Sequence, residues 1–280
     1  MLVENYFLII LAFVWIFIAV MQDFRKREVA NWLNFSLIAI ALAYRAFVSV
    51  FFLNYFYFVY GLIGFGIFFL LANLFYYGRV FAGGDAKLLM ALGSVLPFSL
   101  SFFENIEIFI YFLILLLFCG SVYGLIFSLV LSYKNRQAFV KEFSKQFSKN
   151  KKIFYVFVIF SILVFIFVMF VKVYLFLWFS LILLIFPFLY VYAKAIEEAC
   201  MIKSVKAKNL TIGDWLYEKV KVGRKTIKPN WEGLNEEELA ILKKTKKKIL
   251  IKQGIPFTPS FLIAFLVLIW TMVKGFSLIF

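Results

Sequence analysis

Long apolar runs recur along this chain, each close to the length a helix needs to cross a bilayer. About 20 residues carry an apolar helix through the hydrocarbon core. Runs of this kind lie at 5–22, 32–53, 55–77, 86–101, 107–132, 153–171, 173–192 and 257–279. Hydrophobic residues fill 65% of the 280 positions, against roughly 45–50% in soluble domains. A chain of this size cannot hide so much apolar surface from water. The expectation is an all-α polytopic membrane protein with about eight transmembrane helices. The first run is too long and too rich in Trp and Phe for a secretory leader, and no small-residue cleavage site follows it.

The stretch 153–192 holds one charge, Lys172. As a single straight helix it would run about 60 Å, twice the core thickness. Two helices turning near Lys172 fit better. Lys and Arg then sort by side. With 23–31 in the cytoplasm, the cytoplasmic segments carry 3 at 23–31, 2 at 78–87, 7 at 133–152 and 15 at 193–256, or 27 of the 30. Arg45, Lys172 and Lys274 are the remainder, and Glu4, Glu104 and Glu107 lie on the other side. This bias predicts a plasma-membrane protein with both termini outside. The net charge of +15 thus reports a membrane face and its lipids, and no nucleic-acid partner is expected.

The chain divides by this reading into a five-helix membrane core at 1–132, a basic loop at 133–152, an extra hairpin at 153–192, a small cytoplasmic domain at 193–256 and a last helix at 257–280. In the basic loop, Phe139, Phe143 and Phe147 recur every four residues, the spacing of an amphipathic surface helix; a solvated basic loop near anionic lipid is the simpler alternative. The segment 193–256 is expected to be α+β. Asn235 should cap a helix running to about Lys247, with Glu238 reaching back to complete a capping box. Ile249-Leu250-Ile251 reads as a short strand. Thr258-Pro259 reads as a cap followed by proline in the first turn.

The sequence contains no histidine, which removes His-dependent nucleophilic catalysis, His general bases and His metal ligands. Cys119 and Cys200 are far apart and form no metal-binding or redox pair. Neither a metal nor a cofactor is expected. Two carboxylates stand out instead. Asp23 closes the first run in Met21-Gln22-Asp23, and Asp85 opens the fourth in Ala82-Gly83-Gly84-Asp85. The topology puts both at one depth on one face. Two close carboxyls share a proton, so one can activate water while the other donates to a peptide carbonyl. Gly83 and Gly84, lacking Cβ atoms, would permit positive φ and the close approach of an extended substrate. Each feature also has a plainer reading: Gly-Gly-Asp is a turn with a cap, and Asp23 sits beside Arg25, Lys26 and Arg27 as an interfacial charge would. Gly61, Gly64 and Gly66 in the third run, and Gly120 and Gly124 in the fifth, read as helix packing.

Asp23 with its basic loop and Asn31, followed by Gly83-Gly84-Asp85-Ala86-Lys87, resembles the type IV prepilin peptidases, GxGD-type aspartyl proteases of the membrane. Gly213-Asp214-Trp215-Leu216, Gly233-Leu234 before an acidic helix, and the stretch from Gly254 to Leu262 resemble the archaeal branch, the preflagellin and prepilin peptidases. The likeness covers the first five runs and 210–265. It implies catalysis by Asp23 and Asp85, with Gly83 and Gly84 shaping the site. It implies removal of the short leader from pilin-like or archaellin-like precursors at the cytoplasmic face, without methyl transfer, since the four-cysteine loop of many bacterial relatives is absent. The family's first GxGD glycine is Ala82 here, the proline usual before the Asn is Ala30, and the hairpin at 153–192 is additional. A basic face would repel a basic leader, so acidic or lipid contacts near the pair are expected. Two other readings stand beside this one: a presenilin-like intramembrane protease, which would want a mid-span aspartate, and a non-proteolytic transporter or scaffold, which would want broken helices near the midplane.

Overall fold

The structure is a computed structural model that describes residues 3–223, 225–245 and 247–275. The apolar runs become helices α1 (Asn5–Lys26), α2 (Asn31–Phe51), α3 (Phe56–Tyr77), α4 (Gly83–Gly93), α5 (Phe102–Lys134), α7 (Lys151–Val171), α8 (Leu177–Cys200) and α10 (Thr258–Val273). Among the described residues, six of them, α1, α2, α3, α5, α7 and α8, are long and apolar enough to cross a membrane. The chain is a multi-pass membrane protein on that evidence. The last expected run extends to 279, and its residues 276–279 lie outside the described ones.

The fourth run departs most from expectation. Instead of a helix over 86–101, α4 has 11 residues, a rise of only about 16 Å. It ends at Gly93, and the chain continues as an irregular, buried stretch from Ser94 to Phe98. Pro97 has no amide hydrogen to continue a helix. Irregular backbone is tolerated away from water only where other groups satisfy it, and here side chains from α1 and α2 do so. The fully buried Arg45 of α2 donates to the carbonyls of Ser94 (2.8 Å), Val95 (2.9 Å), Pro97 (2.6 Å) and Tyr57 (3.0 Å). Its guanidinium also lies 4.6 Å from the Tyr57 ring centroid. Asn5 of α1 donates to the Phe98 carbonyl at 2.7 Å and accepts from the Tyr57 hydroxyl at 2.9 Å. Arg45, which sequence counting leaves as a stray charge, is thus the clamp on the end of α4.

The chain forms two compact units, residues 1–126 with 255–280 and residues 127–254. In the first, α4 packs on α2 and α3, and α10 packs on α1. The core gathers Leu8, Ile16, Leu37, Phe68, Leu89, Phe112 and Phe265, all fully buried. Glycines carry the α3–α4 contact: a Cβ on Gly64 would meet the Gly93 carbonyl, and one on Gly93 would meet Phe68. Gly120 faces the Phe257 ring, whereas Gly66 and Gly124 have open space, so only part of the glycine pattern serves packing.

In the second unit, α7 and α8 form a hairpin whose turn is Lys172, in the left-handed region at φ 59°, followed by a 3-10 turn at Tyr174–Phe176. The basic loop is helical: α6 spans Arg136–Lys149. Two of its phenylalanines pack on neighbouring helices. Phe139 stacks edge-on against Tyr192 and Phe147 against Phe154. Beyond α8 comes a three-stranded antiparallel sheet in the order β1 (Ile202–Lys206), β5 (Lys248–Lys252), β2 (Trp215–Leu216), with a separate β3 (Val220–Val222)–β4 (Lys225–Ile227) hairpin. The register pairs Ile202 with Lys252 and Lys206 with Lys248. Helix α9 (Glu236–Lys243) carries the expected capping box: the Asn235 side chain accepts from the Glu238 amide at 2.8 Å, and the Asn235 amide donates back to Glu238 at 3.2 Å. The helix stops short of Lys247 because the chain must turn there to enter β5.

Candidate active site

Asp23 lies in the last turn of α1 and Asp85 in the first turn of α4, and both side chains are buried, at 7% and 8% exposure. Residues 62 positions apart in sequence are brought within direct electrostatic reach, the Asp23 charge acting on Asp85. The Asp85 carboxyl turns back to the amide of Ala82, the residue preceding α4. That contact satisfies one of the free amides at a helix start.

Asp23 has a partner that sequence spacing does not suggest. Its Oδ2 accepts from both the amide (3.2 Å) and the hydroxyl (2.9 Å) of Thr258, which opens α10. The carboxylate therefore sits at the N-terminus of a second helix, where amides and dipole favour an anion. The expected role of Thr258 as the cap of α10 is corrected. Phe257 precedes the helix, Thr258 is its first residue, and the Thr258 hydroxyl is committed to Asp23. Pro259 still falls in the first turn.

The walls are tied together by side-chain contacts. The Ala30 amide, just before α2, donates to Gln22 Oε1 at 2.9 Å, which holds the loop between α1 and α2 against the last turn of α1. Asn31 Oδ1 accepts from Lys87 Nζ at 2.6 Å and so ties the start of α2 to the start of α4. Phe81, the residue before Ala82, lies against Phe75, Phe257 and Phe261. The Tyr123 hydroxyl of α5 lies in the field of Asp23 and Arg27.

The glycines act differently from the sequence expectation. Neither Gly83 nor Gly84 has positive φ; both are in the first turn of α4. Gly84 serves close approach: a Cβ there would stand 3.3 Å from the Val29 amide nitrogen and 3.4 Å from its Cβ. Gly83 has room, with Tyr76 the nearest side chain at 3.6 Å. Ala82, where the first GxGD glycine is expected, is extended at φ −71°, ψ 161°. Any residue adopts that conformation, so the alanine introduces no strain. Among the described residues, no group of three or more Cys, Asp or Glu side chains is placed to hold a metal ion. The pair can do acid–base chemistry from Asp23 and Asp85 themselves.

Residues 10–129 match the type IV leader peptidase family. That stretch contains Asp23, Gly83, Gly84, Asp85 and the clamp residue Arg45. No curated protein and no solved structure matches the chain.

Proposed function

We propose that the chain, whose residues 10–129 match the type IV leader peptidase family, is an aspartic endopeptidase using Asp23 and Asp85. The observation that carries the proposal is the pairing of two buried carboxylates from the ends of separate helices, each within electrostatic reach of the other. Two such groups share one proton. Asp23 Oδ2 accepts two hydrogen bonds from Thr258, which orient that carboxyl within the pair. The ionised carboxyl takes a proton from water as the water oxygen adds to the scissile carbonyl carbon. The protonated carboxyl donates to the carbonyl oxygen. Collapse of the tetrahedral adduct breaks the C–N bond, and the proton first taken from water passes to the leaving amine.

The substrates of this family reading are pilin-like precursors; archaellin-like precursors are included through the resemblance at 213–216 and 254–262. The precursor's leader must lie extended at the pair, because a helix hides its peptide bonds. Gly84 contributes by letting the loop at Val29 close on the start of α4. The cytoplasmic face is assigned from the charge bias: Arg25, Lys26 and Arg27 lie just after Asp23, and Arg79 and Lys87 flank Asp85.

The test is cleavage of a pilin-like precursor from the same genome in membranes by wild type, Asp23→Asn and Asp85→Asn. The expected cut falls at the boundary between leader and apolar helix, located by mass spectrometry, and is lost in both variants. Near-wild-type turnover by either variant would refute the pair. No cleavage of several correctly inserted precursors by wild type would return the chain to the transporter or scaffold reading.

A further inference from the structure

The corner between α5 and α6 forms an open groove of about 700 Å³. Leu129, Val130, Phe139 and Val140 give it an apolar wall, and Lys134 and Arg136 line the same groove. Leu129, Val130 and Val140 are 57%, 47% and 56% exposed, a poor arrangement for water and a natural one for acyl chains. The corner is held in shape by Asn135, whose amide and side-chain nitrogen both donate to the Leu131 carbonyl, at 3.1 and 3.2 Å.

The cations in this groove are uncommitted. Among the described residues, neither Lys134 nor Arg136 makes an ion pair. The single acid of the segment 134–152, Glu142, is taken by Lys145 and Gln146. No side chain caps the first turn of α6, so its amides add to the positive field. On the Phe face of α6, Phe139 packs on Tyr192 and Phe147 on Phe154, and Phe139 also lines the groove at the head of the helix. Because α5 is a candidate membrane span that ends at Lys134, the groove stands where an acyl chain gives way to a headgroup.

We propose that this groove binds an anionic phospholipid, with an acyl chain on Leu129, Val130, Phe139 and Val140 and the headgroup phosphate on Lys134 and Arg136. A zwitterionic choline lipid fits less well, since its own cation would oppose the two side chains. The proposal rests on α5 crossing a bilayer and is independent of the peptidase reading.

The experiment places the full chain in phosphatidylcholine vesicles doped with phosphatidylglycerol bearing a photoactivatable acyl chain, or with phosphatidylcholine bearing the same group, and maps crosslinks by peptide mass spectrometry. With two cations near the headgroup, phosphatidylglycerol should label residues 129–140 with about thirtyfold preference. The K134Q/R136Q variant should lose the preference, and K134R/R136K should keep it. Excess inorganic phosphate should leave the labelling intact. Equal labelling by the two lipids, a preference surviving in K134Q/R136Q, or displacement by phosphate alone would each overturn the proposal. None of these readouts depends on cleavage, so failure here and failure of the peptidase reading are separate results.

Discussion

Thr258→Val is the most informative single change at the site. The substitution keeps the β-branched shape in a fully buried position and removes only the hydroxyl that donates to Asp23 Oδ2 at 2.9 Å. The Thr258 amide bond at 3.2 Å remains. A hydrogen bond to a charged group contributes about 1.5–3 kcal/mol, which corresponds to a loss of roughly 10- to 150-fold in rate if it acts mainly on the reacting state. The assay is the initial rate of precursor cleavage in vesicles at several precursor concentrations. The expected result is a fall in kcat with KM little changed, because Thr258 supports Asp23 and is not proposed to hold the leader. Thr258→Ser should retain most of the activity. If Thr258→Val cleaves within twofold of wild type while Asp23→Asn is inactive, the Thr258 hydroxyl does not support Asp23 and the argument from its two hydrogen bonds fails.

The two glycines should separate. Gly83→Ala is expected to leave cleavage intact and to raise thermal stability slightly, since its Cβ meets only Tyr76 at an ordinary distance. Gly84→Val should lose about 1–3 kcal/mol of stability through overpacking on Val29, together with activity; equal behaviour of the two would show that close approach at Val29 is unimportant. Arg45→Met should cost about 3–5 kcal/mol, because it leaves the carbonyls of Ser94, Val95, Pro97 and Tyr57 without their donor. Thermal unfolding in detergent measures this, and an unchanged midpoint would show that Arg45 does not clamp α4. The pH profile of kcat/KM should be bell-shaped. Activity falls at low pH when both carboxyls are protonated and no base remains, and at high pH when the shared proton is gone and no acid remains. A profile with one limb would mean that only one carboxyl takes part.

Much of this architecture is local and therefore legible in one dimension. Apolar runs of bilayer length dictate helices wherever the backbone must satisfy itself, and the lone Lys172 marks the hairpin turn because a left-handed cap is a local event. The capping box at Asn235 and Glu238 is read from four consecutive residues for the same reason. Asp23 and Asp85 are conspicuous because, within the first five runs, they are the carboxylates that close one apolar run and open another on the face the charge bias assigns to the cytoplasm.

What the sequence could not reveal depends on contacts between distant segments. The fourth apolar run looks like any other, yet α4 stops after 11 residues, because Arg45, Asn5 and Tyr57 together make the irregular backbone after it affordable. The bond from Thr258 to Asp23 joins residues 235 positions apart, and no periodicity encodes it. The Phe stripe of α6 looks the same whether it meets lipid or another helix, and the position of Tyr192 decides. Composition and spacing alone determine that this chain is a multi-pass helical protein with two aspartates at helix ends. Tertiary packing alone decides that those aspartates come within electrostatic reach and which side chains support them, because both outcomes depend on burial and directed hydrogen bonds between segments far apart in the chain.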